Sequence, residues 1–304
     1  MCPRPHSSRL GGGNAAVDAT EIVVGVVLFI LSPVAIGLLL GIDRKITARM
    51  QNRVGPPIVQ PFFDLVKLMA KAPMVMNNGQ VVFAIACLVL QGIAFAVFVA
   101  RGDLLIVFFV SGAGSVAFVL GAFSARSPYS YFGSQRELLQ VLAYEPVVLL
   151  AILLIGFDRG TFTISQLDVN LLPSLALALP ALLVVLVIKL QKSPYDIATA
   201  HQEIVSGPYV EFSGPVLGIT KLAHWFELAI LLGIFTLFYW NENIVFSILG
   251  KVAIVAFAMF VSQLIDNSTA RLTRERMLLF TLIVGTLLVA VNFIVVYLVK
   301  QGVP

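Results

Sequence analysis

Two short runs place ionisable side chains inside stretches that are otherwise apolar. The first is AYEPVVLLAILL, in which Glu145 precedes Pro146. Proline lacks an N–H, so a carbonyl one turn back is left without its helical partner. A carboxyl group beside that irregularity, with Tyr144 next to it, is the equipment of a proton relay. The second run is KLAHWFELAI, where His224 and Glu227 are three apart, share a helix face and can share a proton. Charges at bilayer depth are costly, so they mark ion paths unless they serve as neutral hydrogen-bonded props between helices. The residues alone leave both readings open for Glu145 and Glu227. Arg136–Glu137 and Asp266 fall at expected helix ends and read as interfacial anchors, and Glu137 is also kept as a candidate for the path. Asp103, Asp158, Asp168 and Glu242 sit in loops and receive no role.

The elements that must position these groups are membrane helices. Of the 304 residues, 59% are hydrophobic and 12% charged, and the mean hydropathy is +0.97. Such a chain belongs in lipid. A spanning helix needs about 20 apolar residues. Eight stretches qualify, near 21–42, 80–100, 104–123, 137–157, 173–190, 216–240, 244–265 and 277–299. The expected fold is therefore all-α and polytopic, a single helical domain over 21–304 behind a flexible polar, Gly-rich tail over 1–20. The tail lacks the order of a cleaved signal peptide. Cys2 and Cys87 are too few to ligate an iron–sulfur cluster or a structural zinc, which leaves this chain without a metal of its own.

Basic residues give the expected sidedness. Loops after odd-numbered spans carry fourteen of the twenty Lys and Arg, among them Arg44, Lys45, Arg49, Arg53, Lys67, Arg136, Lys189, Lys192 and Arg271. Arg4, Arg9, Arg101, Arg159, Lys251 and Lys300 fall on the other side with both termini. Both ends then face outward and the long loops face the cytoplasm. The net charge of +4 needs no nucleic-acid partner.

Three inner segments stand out, 43–79, 124–137 and 189–215. The first opens as a basic helix, turns at Gly55-Pro56-Pro57, and resumes at Pro61 with Phe62, Leu65, Val66 and Met69 at helical spacing. Asp64, Lys67 and Lys71 take the other side, as in a short amphipathic helix lying on the membrane surface. The third segment carries Asp196, His201, Glu203 and Glu211 between two spans and is longer than a mere connector.

At these positions the chain resembles a known family. This is the eight-helix subunit that complex I places between its hydrophilic and membrane arms, with its counterpart in energy-converting nickel–iron hydrogenases. The resemblance runs from about 25 to 299. Arg44-Lys45 with Gln51-Asn52-Arg53-Val54-Gly55-Pro56 matches the first-loop signature, continued by Gln60-Pro61 through Lys67-Leu68. Arg136 with Tyr144-Glu145 matches the fourth-helix motif. Ser193-Pro194-Tyr195-Asp196, Glu203 to Gly207 and Val210-Glu211-Phe212 match the long third loop.

Departures from the pattern resemble the hydrogenase branch, the Ech type in particular. Only Pro57, Ile58 and Val59 separate the Gly-Pro from the Gln-Pro, whereas quinone-reducing members carry a longer stretch. Thr199, His201 and His224 stand where those members carry glutamates, and Ala200-His201-Gln202-Glu203 and the run from Asp266 to Leu272 also look like the hydrogenase branch.

The resemblance implies a subunit that docks the hydrogenase small subunit beside the large one. It further implies a ferredoxin-like iron–sulfur subunit and an antiporter-like membrane subunit as partners, in a prokaryotic cytoplasmic membrane. The nickel–iron site and the clusters would belong to those partners. Glu145, Asp196, Glu203, Glu211 and Glu227, with His201 and His224 in place of carboxylates, would lead from the docking face into the bilayer. Arg44, Lys45, Arg49, Arg53, Asp64, Lys67 and Arg136 would face the partner or hold the loop carboxylates. Moving one charge against 100 mV costs about 2.3 kcal/mol, so partner chemistry must alter the proton affinity of a buried group by a comparable amount. Two other readings remain, a quinone-chamber subunit of a respiratory dehydrogenase and a stand-alone ion transporter. The absence of an internal repeat weighs against the transporter.

Overall fold

The computed structural model describes residues 19–72, 74 and 77–301. Residues 1–18 of the expected tail lie outside the described residues. Seven helices are long and apolar enough to cross a membrane. They are α1 (Ala19–Met50), α3 (Asn78–Val99), α4 (Leu104–Phe123), α5 (Pro128–Arg159), α9 (Gly214–Leu237), α10 (Ile244–Ser268) and α11 (Arg274–Lys300). Between them lie the shorter helices α2 (Gln60–Met69), α6 (Leu172–Leu175), α7 (Ala178–Lys189) and α8 (His201–Ile204). Among the described residues the chain has no strand beyond a single bridge between Asp103 and Thr163.

The expected fifth span, 173–190, is broken into α6 and α7 rather than continuous. At 1.5 Å per residue α7 is about 18 Å long, well short of the roughly 30 Å hydrocarbon core. A broken helix survives at that depth only where protein satisfies its backbone. Buried Asn292 of α11 does so, its amide oxygen accepting from Leu177 N (3.3 Å) and Ala178 N (3.1 Å) while its nitrogen donates to Ser174 O (2.8 Å). One face of α7 is shut off from lipid, with Ala178, Ala181, Leu182, Val185 and Leu186 fully enclosed.

Two boundaries also move outward. Helix α5 begins at Pro128, nine residues before the expected start at 137, because Ser127 is extended and Pro128 occupies a first-turn position that needs no N–H partner. Glu137 is thereby inside a helix instead of at its end. Helix α1 continues without a break through Arg44 and Arg49 to Met50. Helix α2 lies where the amphipathic helix was expected, but its apolar residues divide differently. Pro61 is buried and Phe62 packs edge-on against Trp225, while Phe63, Val66 and Met69 are exposed.

The loops gather into two groups, one at each end of the bundle. At one end Gln51 Nε2 donates to Asn267 Oδ1 (2.9 Å) and Arg271 reaches Asp196, joining the segments that follow α1, α7 and α10. At the other, Arg101 pairs with Asp168 (2.5 Å) and Lys300 Nζ donates to Phe157 O (2.6 Å) and Asp158 O (2.7 Å).

Candidate functional site

Lys189 is the last residue of α7, and the chain folds back at once through Gln191, which has a positive φ of 53°. That reversal turns its side chain into the bundle, so it is not one of the loop cations among which the charge pattern counted it. Its ammonium donates to Glu227 Oε1 of α9 and to the Tyr144 hydroxyl of α5 (2.5 Å), and lies 3.9 Å from the Tyr144 ring centroid. Ser115 Oγ of α4 donates to the same carboxylate oxygen (2.5 Å). The other oxygen, Oε2, is 3.1 Å from His224 Nδ1, the contact that their spacing predicts. Helices α4 and α7 thus meet α9 at one carboxylate, and α5 joins the cluster through the Tyr144–Lys189 contact.

A cavity lies on either side of this cluster. One, of about 40 Å³, is bounded by Glu145, Tyr144, Lys189, Glu227 and Ser111. Gly112 permits Glu145 to come this close, because a Cβ there would sit 3.3 Å from both carboxyl oxygens. The other, of about 20 Å³, is bounded by Glu137, His224, Glu227, Gln91, Thr220 and Tyr209. Each has room for a water molecule and polar groups to hold it. Glu137 Oε2 is buried and without a hydrogen-bond partner in the protein. Glu137 and Glu145 are eight residues apart on α5, about 12 Å along its axis. The ionisable groups therefore form a line, Glu137, His224, Glu227, Lys189 and Glu145, with a small cavity at each interval between a terminal carboxyl and the cluster, the one beside Glu145 walled largely by apolar side chains such as Val107, Ile152 and Ile230.

The other expected path residues lie elsewhere. Arg271 holds Asp196 through two contacts, Nε to Oδ1 (2.8 Å) and Nη2 to Oδ2 (2.5 Å). Arg136 pairs with Glu203 (2.6 Å) and donates to Ile197 O (3.2 Å). These four charges form a network at the loop end of the bundle, around a groove of about 720 Å³. The hydrogen bonds that Arg271 donates to Asp196 hold its guanidinium above its ordinary pKa. His201 is exposed. Glu211 is half-buried and makes no ion pair among the described residues. Arg44, Arg49, Arg53 and Lys67 are exposed and Lys45 half-buried, a basic surface around the first loop. Arg44 reaches Asp64 (3.1 Å), and Gln60 Nε2 donates to the same carboxyl (3.0 Å). Burial alone would raise the Asp64 carboxyl, but these two hydrogen bonds together with the positive charges of Arg44 and Lys221 leave it below its ordinary value.

A second enclosed pair escaped the sequence reading altogether. Asp43 of α1 meets Lys192 at 2.5 Å, both with side chains only 9% exposed, and Gln263 Nε2 of α10 donates to Asp43 Oδ1 (3.0 Å). In the sequence both are charges at the inner ends of apolar runs, where snorkelling to water is the default expectation. The third loop closes over them, with Leu272 N donating to Pro194 O (3.1 Å) and Ser193 N to Asp266 Oδ1 (3.1 Å).

A multi-pass membrane bundle with a line of ionisable groups at its centre and a charged loop face is the class that this architecture defines. Within that class, the chain belongs to the NADH dehydrogenase family, whose model matches residues 22–297. It is 26% identical over 280 residues to formate hydrogenlyase subunit 4 of Escherichia coli, covering 83% of this chain and 90% of that one. It is 28% identical to hydrogenase-4 component C of the same organism (64% and 67% covered) and 26% identical to a subunit of the NADH-quinone oxidoreductase of Anoxybacillus flavithermus (72% and 74%). Its fold matches a chain of the membrane-bound sulfane sulfur reductase, an archaeal respiratory membrane complex, with a TM-score of 0.79. The two are 25% identical over 91% of this chain and 99% of that one. The resemblance seen in the loop motifs is thus a family relationship.

Proposed function

We propose that this chain is the ion-coupling membrane subunit of an energy-converting oxidoreductase of the hydrogenase branch. Its basic and acidic loop face docks the hydrogenase small and large subunits, which carry the nickel–iron site and, with a ferredoxin-like subunit, the iron–sulfur clusters. An antiporter-like subunit takes up the change within a prokaryotic cytoplasmic membrane, and the coupled ion is H+ or Na+. The single observation that carries the reading is the line from Glu137 through His224, Glu227 and Lys189 to Glu145. A charge altered at one end of such a line is felt at the other, because interactions in an enclosed, low-dielectric setting are screened far less than in water. The two hydrogenase-named relatives and the short Pro57–Val59 connection favour hydrogen chemistry. Quinone reduction is the second reading, favoured by the relatives named as quinone oxidoreductase subunits.

Glu145→Gln tests the role of the line. The variant keeps the size and hydrogen-bonding capacity of the side chain, so the complex should assemble and evolve hydrogen from reduced ferredoxin. Ion uptake in sealed vesicles should fall at least tenfold. Uptake at the wild-type ratio to hydrogen would remove Glu145 from the path. Identifying the partners that copurify with the tagged chain tests the branch, and a nickel-free, quinone-reducing assembly would overturn it.

A further inference from the structure

At the Arg101 end of the bundle, α1, α3, α9 and α10 leave a groove of about 540 Å³. Part of its wall is apolar, formed by Leu28, Phe98 and Leu237, and Tyr239 and Trp240 line it just beyond the end of α9. An apolar wall beside aromatic side chains at helix-end depth is the profile of a lipid chain below its headgroup. The charges decide which headgroup. Arg101 is already committed to Asp168 at 2.5 Å. That leaves one cation, Lys251, and one anion, Glu242, lining the groove, and neither has an ion pair or side-chain hydrogen bond among the described residues. Lys251 is seven residues into α10, about 10 Å along the helix from its start, so its ammonium has to reach back along the groove toward the helix start to meet an anion at headgroup level. Glu242 is exposed beyond the helix start, nearer to water. Two opposite charges at different depths in one groove, unpaired with each other, complement a ligand that carries both signs in the reverse order.

We propose that this groove binds one phospholipid with an ethanolamine headgroup, its phosphate held by Lys251 and its ammonium by Glu242. The phosphate lies deeper than the ammonium in such a lipid, matching the order of the two side chains. A primary ammonium donates hydrogen bonds to a carboxylate, which a quaternary choline cannot do. An anionic glycerol headgroup would satisfy Lys251 and meet repulsion from Glu242. The proposal is independent of the coupling reading, because no member of the buried line touches the groove.

Native mass spectrometry of the intact complex, after exchange into an equimolar mixture of dioleoyl phosphatidylethanolamine and dioleoyl phosphatidylglycerol, tests it. The wild type should retain one ethanolamine lipid in preference to the glycerol lipid. Lys251→Ala should reduce its retention by about tenfold, the scale of one lost charge-assisted hydrogen bond, and Lys251→Arg should restore it. Glu242→Gln, an exposed change, should keep the site and turn the preference toward the glycerol lipid. That reversal decides the matter even where Lys251→Ala assembles poorly. Equal retention of the two lipids by the wild type, or an unchanged preference in Glu242→Gln, would overturn the proposal.

Discussion

Burying an ammonium and a carboxylate costs several kcal/mol per ion, and their mutual attraction repays this only when further hydrogen bonds complete the geometry. Around Lys189 and Glu227 those bonds come from Tyr144, Ser115 and His224. Removing one partner leaves the other charge enclosed and alone, so Lys189→Met should destabilise the bundle by about 3–5 kcal/mol, measured as loss of thermal stability of the purified complex. The double variant Lys189→Met with Glu227→Leu should recover most of that loss and stay uncoupled. A pair kept for stability would give the opposite result, with the double variant as unstable as the single. The acid side of this site was legible in the sequence, because Glu145 and the His224–Glu227 pair interrupt apolar runs. Lys189, Lys192 and Asp43 were not, because a charge at the end of an apolar run ordinarily reaches water. The return of the third loop over the bundle encloses Lys192 and Asp43, and Tyr144 and Glu227 enclose Lys189 between helices.

The positions of the long helices follow from apolar runs, but their ends do not. Polar side chains in the first turns of α5 hide a helix start that Ser127 and Pro128 set. Likewise the break between α6 and α7 leaves no mark in hydropathy, since Leu175, Ala176 and Leu177 are as apolar as their neighbours. Its backbone partner lies in another element, Asn292, a little over two turns before the end of α11. If that amide sustains the break, Asn292→Leu leaves the N–H groups of Leu177 and Ala178 without an acceptor inside the bundle. The expected cost is about 1 kcal/mol, the scale of a hydrogen bond between membrane helices, read as a lowered unfolding temperature. Hydrogen exchange at Leu177 and Ala178 should quicken as well. Unchanged exchange there would show that α7 is held by packing alone. Because Lys189 is carried on α7, the same variant should weaken coupling without touching any charged residue.

For the whole molecule, the charge asymmetry read from the loops has to be revised, and it becomes more informative. Lys189 and Lys192 leave the set of fourteen for the interior, so twelve basic residues remain at the loop-rich end against Arg101, Arg159, Lys251 and Lys300 among the described residues at the other. The bias survives, which supports placing the Arg44, Arg136 and Arg271 loops in the cytoplasm. Those are also the loops whose carboxylates are held by Arg136 and Arg271 around an open groove, the face on which a hydrophilic partner would sit. On the proposed function, orientation and docking would stand on the same surface. Single cysteines introduced at the exposed positions Arg49 and Glu242, in a chain whose Cys2 and Cys87 are replaced by serine, separate the two sides. In intact cells an impermeant maleimide should label the cysteine at 242 and spare the one at 49. Inverted vesicles stripped of peripheral subunits should give the reverse. Labelling at 49 should then fall when the hydrophilic subunits are left in place, since a docked partner covers that face. Labelling of 49 from outside would invert the topology and remove the cytoplasmic docking surface with it.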